Sequence, residues 1–171
     1  MNQTRKTRQW IGLFDSLVKE PGKDLPEDIF LFVTGITPIV NVDLLIRNSK
    51  KQILLTWRDD GFYEPGWHVP GGIIRYKEKM RDRVKAVAKG ELGARVDFDP
   101  VPIAVNEVIH PSRRARGHFI SLLFECRLKT ELDKTMKYSA RSPKPDQWAW
   151  HTVCPRNILS VHRMYKKYFK N

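Results

Sequence analysis

The segment that most limits how this chain can fold runs from Glu78 to Leu92, where apolar residues recur with helical period around a single acid. On a wheel at about 100° per residue, Met80, Val84, Val87, Ala88 and Leu92 form one stripe, and Gly93 ends the helix. Glu91 falls inside that stripe, between the directions of Met80 and Val84, while Lys79, Arg81, Arg83, Lys85 and Lys89 take the remaining surface. A carboxylate among core-facing side chains is costly to bury unless a cation pairs with it. Two readings follow: a buried acid salt-bridged to an arginine, or a metal ligand beside Gly71 and Gly72, whose backbone admits close approach. Gly90, inside the helix at a cost of about 1 kcal/mol relative to Ala, points to a close approach there as well.

The surroundings of this helix read mainly as strands. Val40-Asn41-Val42-Asp43-Leu44-Leu45-Ile46 alternates, with Val40, Val42, Leu44 and Ile46 on one face and Asp43 beside Asn41 on the other. A second strand runs from Ile53 to Trp57 and closes on Arg58. A loop rich in Asp, Gly and Pro then leads into Trp67-His68-Val69-Pro70-Gly71-Gly72. Further strands are expected at 95–98, 101–109, 119–128 and 148–153, with a polar, proline-bearing loop at 138–145 and a C-terminal helix over 156–169. Pro26-Glu27-Asp28 starts a short helix with acids at its positive dipole end, carrying Ile29, Phe30 and Val33 inward and stopping at Gly35. One central helix among many strands predicts an α+β or three-layer domain. Residues 1–24 read as an extension with an amphipathic helix (Trp10, Leu13, Phe14, Leu17) ended by Pro21-Gly22, and residues 25–171 as a single domain.

Charge narrows the partners without choosing one. The 171 residues carry 31 Lys+Arg against 19 Asp+Glu, a formal net charge of +12. Nucleic acid, an anionic membrane surface and small phosphorylated ligands would all be drawn to that field. With 41% hydrophobic and 11% aromatic residues the chain can bury a core, which excludes intrinsic disorder. No apolar run approaches the ~18–20 residues of a membrane span, since the richest, Phe119-Ile120-Ser121-Leu122-Leu123-Phe124, is short and holds a serine. No apolar signal region follows the basic start, and the isolated Cys126 and Cys154 suggest neither a disulfide framework nor a zinc knuckle. A cytoplasmic protein without a membrane partner is expected.

The run Gly72-x5-Glu78-x7-Ala86-Val87-Ala88-Lys89-Gly90-Glu91-Leu92-Gly93-Ala94 resembles the signature box of the Nudix hydrolases. Relative to that box, an Arg is replaced by Ala86, the Glu after it by Val87, and the first of two paired acids by Gly90. Only Glu91 is left of a helix face that ordinarily offers several carboxylates. Such a reduced box resembles the GDP-mannose mannosyl hydrolase branch, as do Thr37 to Asp43, Ile53 to Arg58 and Trp67 to Gly72. The resemblance spans residues 25–169 and implies a Nudix-like α/β/α sandwich with a central mixed sheet. It also implies a homodimer and a reaction in which water attacks the anomeric carbon of a nucleotide sugar and a nucleoside diphosphate leaves.

By the same resemblance, Gly71 and Glu91 hold Mg²⁺, or Mn²⁺ in its place. Asp43 contacts the sugar, Arg58 contacts the diphosphate and stabilises its developing charge, and His110 stands near the leaving group. His118 is a further substrate-binding candidate at the start of its strand. The branch's Gln-His pair before the last strand is replaced by Lys144-Pro145-Asp146-Gln147-Trp148, so Asp146, or a shifted Gln147, is the expected substitute for the missing pair. Mg²⁺ needs only one or two carboxylates when substrate phosphates and water complete its octahedron, so a thinned box is compatible with activity. Two alternatives stay open. One is a pyrophosphohydrolase attacking phosphorus. The other is a non-catalytic module binding nucleotides or RNA through Arg113, Arg114, Arg116 and the basic C-terminus with Tyr165, Tyr168 and Phe169.

Overall fold

The computed structural model describes residues 3–139 and 141–169. Met1, Asn2, Ala140, Lys170 and Asn171, which belong to the expected extension, the proline-bearing loop and the basic terminus, lie outside the described residues. The helices are α1 (Gln3–Leu17), α2 (Glu27–Val33) and α3 (Met80–Leu92). The strands are β1 (Ile39–Ile46), β2 (Ile53–Arg58), β3 (Gly66–His68), β4 (Gly71–Ile73), β5 (Val96–Phe98), β6 (Ala104–Ile109), β7 (His118–Leu128) and β8 (Trp148–His151). Two 3₁₀ segments, Lys134–Met136 and Ser160–Tyr168, complete the chain. The mixed α+β expectation holds.

The central sheet is ordered β4-β1-β7-β5, and β6 also pairs with β7. β1 and β7 run parallel over Ile39↔Phe119 to Ile46↔Cys126, whereas β4, β5 and β6 pair antiparallel with their neighbours. β7 is long enough to hold β6 and β5 in succession along one edge while β1 takes the other. A second, antiparallel sheet is ordered β3-β2-β8. β1 is buried on both faces from Val42 onward. Val42, Leu44 and Ile46 pack with Val84, Val87, Ala88 and Leu92 of α3. Leu45 packs on the opposite side with Trp67, Val69 and Tyr165. Helical segments thus cover both sides of β1, and Asp43 lies on the side that faces Tyr165.

Several boundaries differ from expectation for local reasons. α3 starts at Met80 because Glu78 serves the preceding turn: its carboxylate accepts the Arg75 N–H at 2.9 Å and pairs with Arg83 at 2.8 Å. Met80 is consequently 42% exposed and stands outside the core stripe. β6 starts at Ala104 rather than Val101, because the Val101 N–H turns back to Asp99 Oδ1 and Pro102 has no N–H to give. The expected C-terminal helix is a 3₁₀ segment starting at Ser160, since Asn157–Leu159 pair with the edge of β3. Trp67 donates to the Asn157 carbonyl and Leu159 donates back to Trp67, at 2.9 and 2.8 Å. That approach requires Gly66, where a Cβ would sit 2.6 Å from the Asn157 oxygen. The short β3 and β4 fall where the sequence assigned no strand.

α1 forms as expected, but it buries no residue; its Phe14 ring stacks on Phe32, with centroids 5.6 Å apart. No helix among the described residues is long and apolar enough to cross a membrane. α3 closes in a left-handed glycine cap: Gly93 at φ 60° donates to Lys89, and Ala94 donates to Ala88. The close approach expected at Gly90 is absent, for a Cβ there meets nothing within 4 Å. Gly90→Ala is therefore expected to raise unfolding free energy by about 1 kcal/mol. Gly93→Ala, whose Cβ would meet Asp133 Cβ at 2.8 Å with φ still positive, is expected to lower it. Urea midpoints check both, and a fall for Gly90→Ala would mean that the position is constrained after all.

Candidate active site

A cleft of about 1110 Å³ opens between α2, β1, β4, the β2–β3 loop and the C-terminal 3₁₀ segment. Its size is at the upper end for small-molecule sites. Asp24, Glu27 and Asp43 supply its carboxylates, and Arg58, Arg75, Arg83 and Arg116 its guanidiniums. Asp24 and Glu27 are exposed; Asp43 is buried.

The β1–β4 register sets Asp43 opposite Gly71. A Cβ at Gly71 would overlap Asp43 Oδ1 and lie 2.9 Å from the Val42 carbonyl oxygen, so only glycine permits this pairing. Gly72 is needed for packing, since a Cβ there would meet Val87 Cγ2 at 2.8 Å. The Asp43 carboxylate accepts from Ser121 Oγ and Tyr165 Oη, and from Asn41 Nδ2 at 2.9 Å. Burial pushes its pKa up, and the bonds from Ser121 and Tyr165 work against that rise. Tyr165 is held protonated by burial and by its acidic neighbour.

Glu91 lies behind Gly71. Its Oε1 accepts the Gly71 N–H at 3.1 Å, its Oε2 accepts the Thr56 hydroxyl at 2.9 Å, and His68 Nε2 is 3.5 Å away. His68 Nδ1 is 2.9 Å from the Thr56 carbonyl oxygen, a contact only an N–H can use, so Nδ1 carries a proton. The arginine partner considered for Glu91 does not occur: the helix arginine facing this region, Arg83, pairs with Glu78. With its side chain 24% exposed and both oxygens oriented by donors, Glu91 has the form of a fixed ligand with lone pairs to spare. Among the described residues no three His, Cys, Asp or Glu side chains gather as a metal site. One oriented carboxylate is compatible with a divalent ion whose remaining positions are filled by ligand oxygens and water.

Arg58, at the end of β2, lines the cleft and pairs through Nε with Asp60 at 2.9 Å. The other expected residues are not brought to the cleft wall. Pairing of β6 with β7 turns Val108 and Phe119 into it, so strand alternation sends His118 to the opposite face, where Nε2 is 3.2 Å from Glu107. His110 follows in the hairpin, half-buried and 3.3 Å from Ser112 Oγ, and does not line the cleft. Asp146 is exposed at φ 67°, its N–H spent on the Trp57 carbonyl.

Sequence reasoning missed Ser121, Tyr165, His162 and Tyr63. Ser121, the one hydroxyl in the apolar Phe119–Phe124 run, carried a signal. Tyr165 and His162 carried none that period alone could give, because their segment is a 3₁₀ helix. His162 Nδ1 accepts the Val69 N–H at 3.1 Å. Burial, with His68 and Arg58 nearby, holds its pKa well below the ordinary value. The aromatic support for RNA binding is also reduced, since Tyr165 and Phe169 are buried. Arg113 lies over the Tyr63 ring at 4.2 Å and Arg116 over Phe62 at 4.0 Å.

Comparison with known proteins agrees with this geometry. A family model described as the NUDIX domain matches residues 37–154. The low-salt glycan biosynthesis protein of Haloferax volcanii is 28% identical over 113 residues, covering 64% of this chain and 71% of that protein. A MutT Nudix hydrolase structure from Burkholderia pseudomallei superposes with TM-score 0.62 at 18% identity, covering 78% of this chain and 99% of the other. One described as a possible diadenosine tetraphosphate hydrolase from Jonesia denitrificans gives 0.60 at 20%, covering 78% and 92%.

The depressed His162 has a consequence with a definite sign. The unfolded chain takes up a proton as pH falls below 6.5 while the folded chain keeps the imidazole neutral, so stability is lost on acidification. His151, lowered by burial to about 4, acts in the same direction down to that pH. His162→Asn, whose amide oxygen can still accept from Val69, is expected to reduce the slope of unfolding free energy below pH 6.5 by up to about 1.4 kcal/mol per pH unit. A variant keeping the original slope would mean that His162 is protonated in the folded protein.

Proposed function

The chain belongs to the Nudix hydrolase family, and from that membership we propose that it is a metal-dependent hydrolase of a nucleoside-diphosphate sugar, with GDP-mannose the leading candidate. The observation that carries the reading is Glu91, the one carboxylate left on the helix face of the box, fixed behind Gly71 with buried Asp43 on the other side of the same glycine. Ala86, Val87 and Gly90 add no carboxylate; Val87 is core, and Gly90 faces open space.

Nudix enzymes generally use divalent metals such as Mg²⁺, and an ion at Glu91 and the Gly71 carbonyl would supply positive charge to a leaving diphosphate. The chain's own groups divide the remaining work. Arg58 offers Nε–H and amino donors to phosphoryl oxygens on the cleft wall. Asp43, held by Ser121, Tyr165 and Asn41, offers a carboxylate oxygen to a ligand hydroxyl. Its raised pKa suits it to accept a proton, whereas neither Asp146 nor His110 lines the cleft. The cleft has room for a nucleotide sugar, and a distant relative named for glycan biosynthesis favours a sugar-bearing ligand.

The experiment is turnover of a panel of nucleotide sugars with and without Mg²⁺, using the natural chain and Glu91→Gln. Glu91→Gln is expected to lower kcat by at least about 100-fold and to lose its response to Mg²⁺. Arg58→Gln is expected to lower kcat/KM by about 10- to 100-fold through lost transition-state charge stabilisation. Unchanged turnover and Mg²⁺ dependence in Glu91→Gln would remove the site.

A further inference from the structure

Arg58 is not the only guanidinium at Asp60. Arg116, from the loop between β6 and β7, has a terminal nitrogen 3.8 Å from Asp60 Oδ2, the oxygen that Arg58 Nε holds at 2.9 Å. One carboxylate therefore stands between two cations. Arg116 is 8% exposed, and its Nε is buried with no hydrogen-bond partner. A buried cation without full compensation is unfavourable, and a second cation beside it adds repulsion.

The local backbone is built to keep the pair there. Arg116 sits at φ 53°, a conformation uncommon for a residue with a Cβ. Its N–H donates to Thr34 Oγ1 at 3.1 Å, its carbonyl accepts from the Tyr63 hydroxyl at 3.5 Å, and its guanidinium lies over the Phe62 ring. Residues of α2's C-terminal end and of the β2–β3 loop thus hold one arginine whose donors are incompletely used. Arg58, Arg116 and Tyr63 all line the cleft that also contains Asp43 and Gly71.

We propose that Arg58 and Arg116 form a two-guanidinium clamp for the diphosphate of the ligand, with Asp60 as the intramolecular anion that a phosphoryl group displaces. The chemistry is matched: planar guanidiniums offer paired donors to tetrahedral oxyanions, and a diphosphate brings the charge that one carboxylate lacks. Arg116 then binds ligand directly, and Asp60 sets the affinity by competing for the same donors. The proposal rests on the nucleoside-diphosphate reading of the cleft, but its test does not require turnover.

Titration calorimetry with inorganic pyrophosphate, without added metal, reads the clamp directly, and thermal melts report folding. Arg116→Gln is expected to weaken pyrophosphate binding at least 10-fold, while Asp60→Asn, which leaves the guanidiniums without their charged competitor, is expected to tighten it severalfold. Pyrophosphate bound as tightly by Arg116→Gln as by the natural chain would overturn the proposal. Should Arg116→Gln fail to fold, Asp60→Asn decides alone: tighter binding supports the clamp, and unchanged or weaker binding overturns it. If these shifts occur and no nucleotide sugar is hydrolysed, the clamp stands and the enzymatic reading falls. If hydrolysis proceeds and the shifts are absent, the reverse holds.

Discussion

The contact on which the rest of the site depends is the approach of two carboxylates to one glycine. Gly71 gives its N–H to Glu91 on the helix side, and its missing side chain leaves room for Asp43 on the strand side. A side chain there would separate β4 from β1 and remove the donor that orients Glu91. Gly72 extends the same requirement to Val87, so two adjacent glycines couple the β1–β4 register to the seating of α3. The helix stops at Gly93, two residues beyond Glu91, so its one inward acid has a defined position.

Around that contact the charges are unevenly arranged. Asp43 is buried within a hydroxyl and amide network that stabilises the carboxylate, while burial still favours its protonated form. A few residues away, Arg116 is buried with Arg58 beside it, and its pKa is lowered by burial first and by Arg58 next. A ligand with a sugar at one end and a diphosphate at the other would relieve both: hydroxyls meet the acid, and phosphoryl oxygens meet the guanidiniums. The chain-wide excess of +12 adds a long-range attraction for such an anion without determining where it binds.

Much of the fold was legible because it follows from period. β1 and α3 each hold one repeat over enough residues to read, β2 and β7 show as apolar runs, and Gly93 marks an end that backbone sterics enforce. The acid in the wrong direction at Glu91 was legible for the same reason. The short β3 and β4 were not, because three residues cannot express an alternation, and their pairing depends on glycines whose partners, Asn157 and Asp43, are distant in sequence. His118 and His110 lie off the cleft wall because proximity in sequence to a cleft strand does not decide which face a side chain takes; one step along β7 separates Phe119 in the cleft from His118 outside it. Gly90 misled as a helix glycine with no neighbour to require it. Arg116 read as one member of a basic loop because its burial is created by Phe62, Tyr63 and Thr34, none of them near it in the chain.

The reaction itself is tested most directly by where the oxygen of water ends up. Turnover of a nucleoside-diphosphate sugar in H₂¹⁸O, with the products resolved by mass spectrometry, separates attack at carbon from attack at phosphorus. The proposed site, with one carboxylate on the box's helix face and a buried acid offered to the sugar, predicts the label in the released sugar and none in the nucleoside diphosphate. Label in a phosphate product would contradict it.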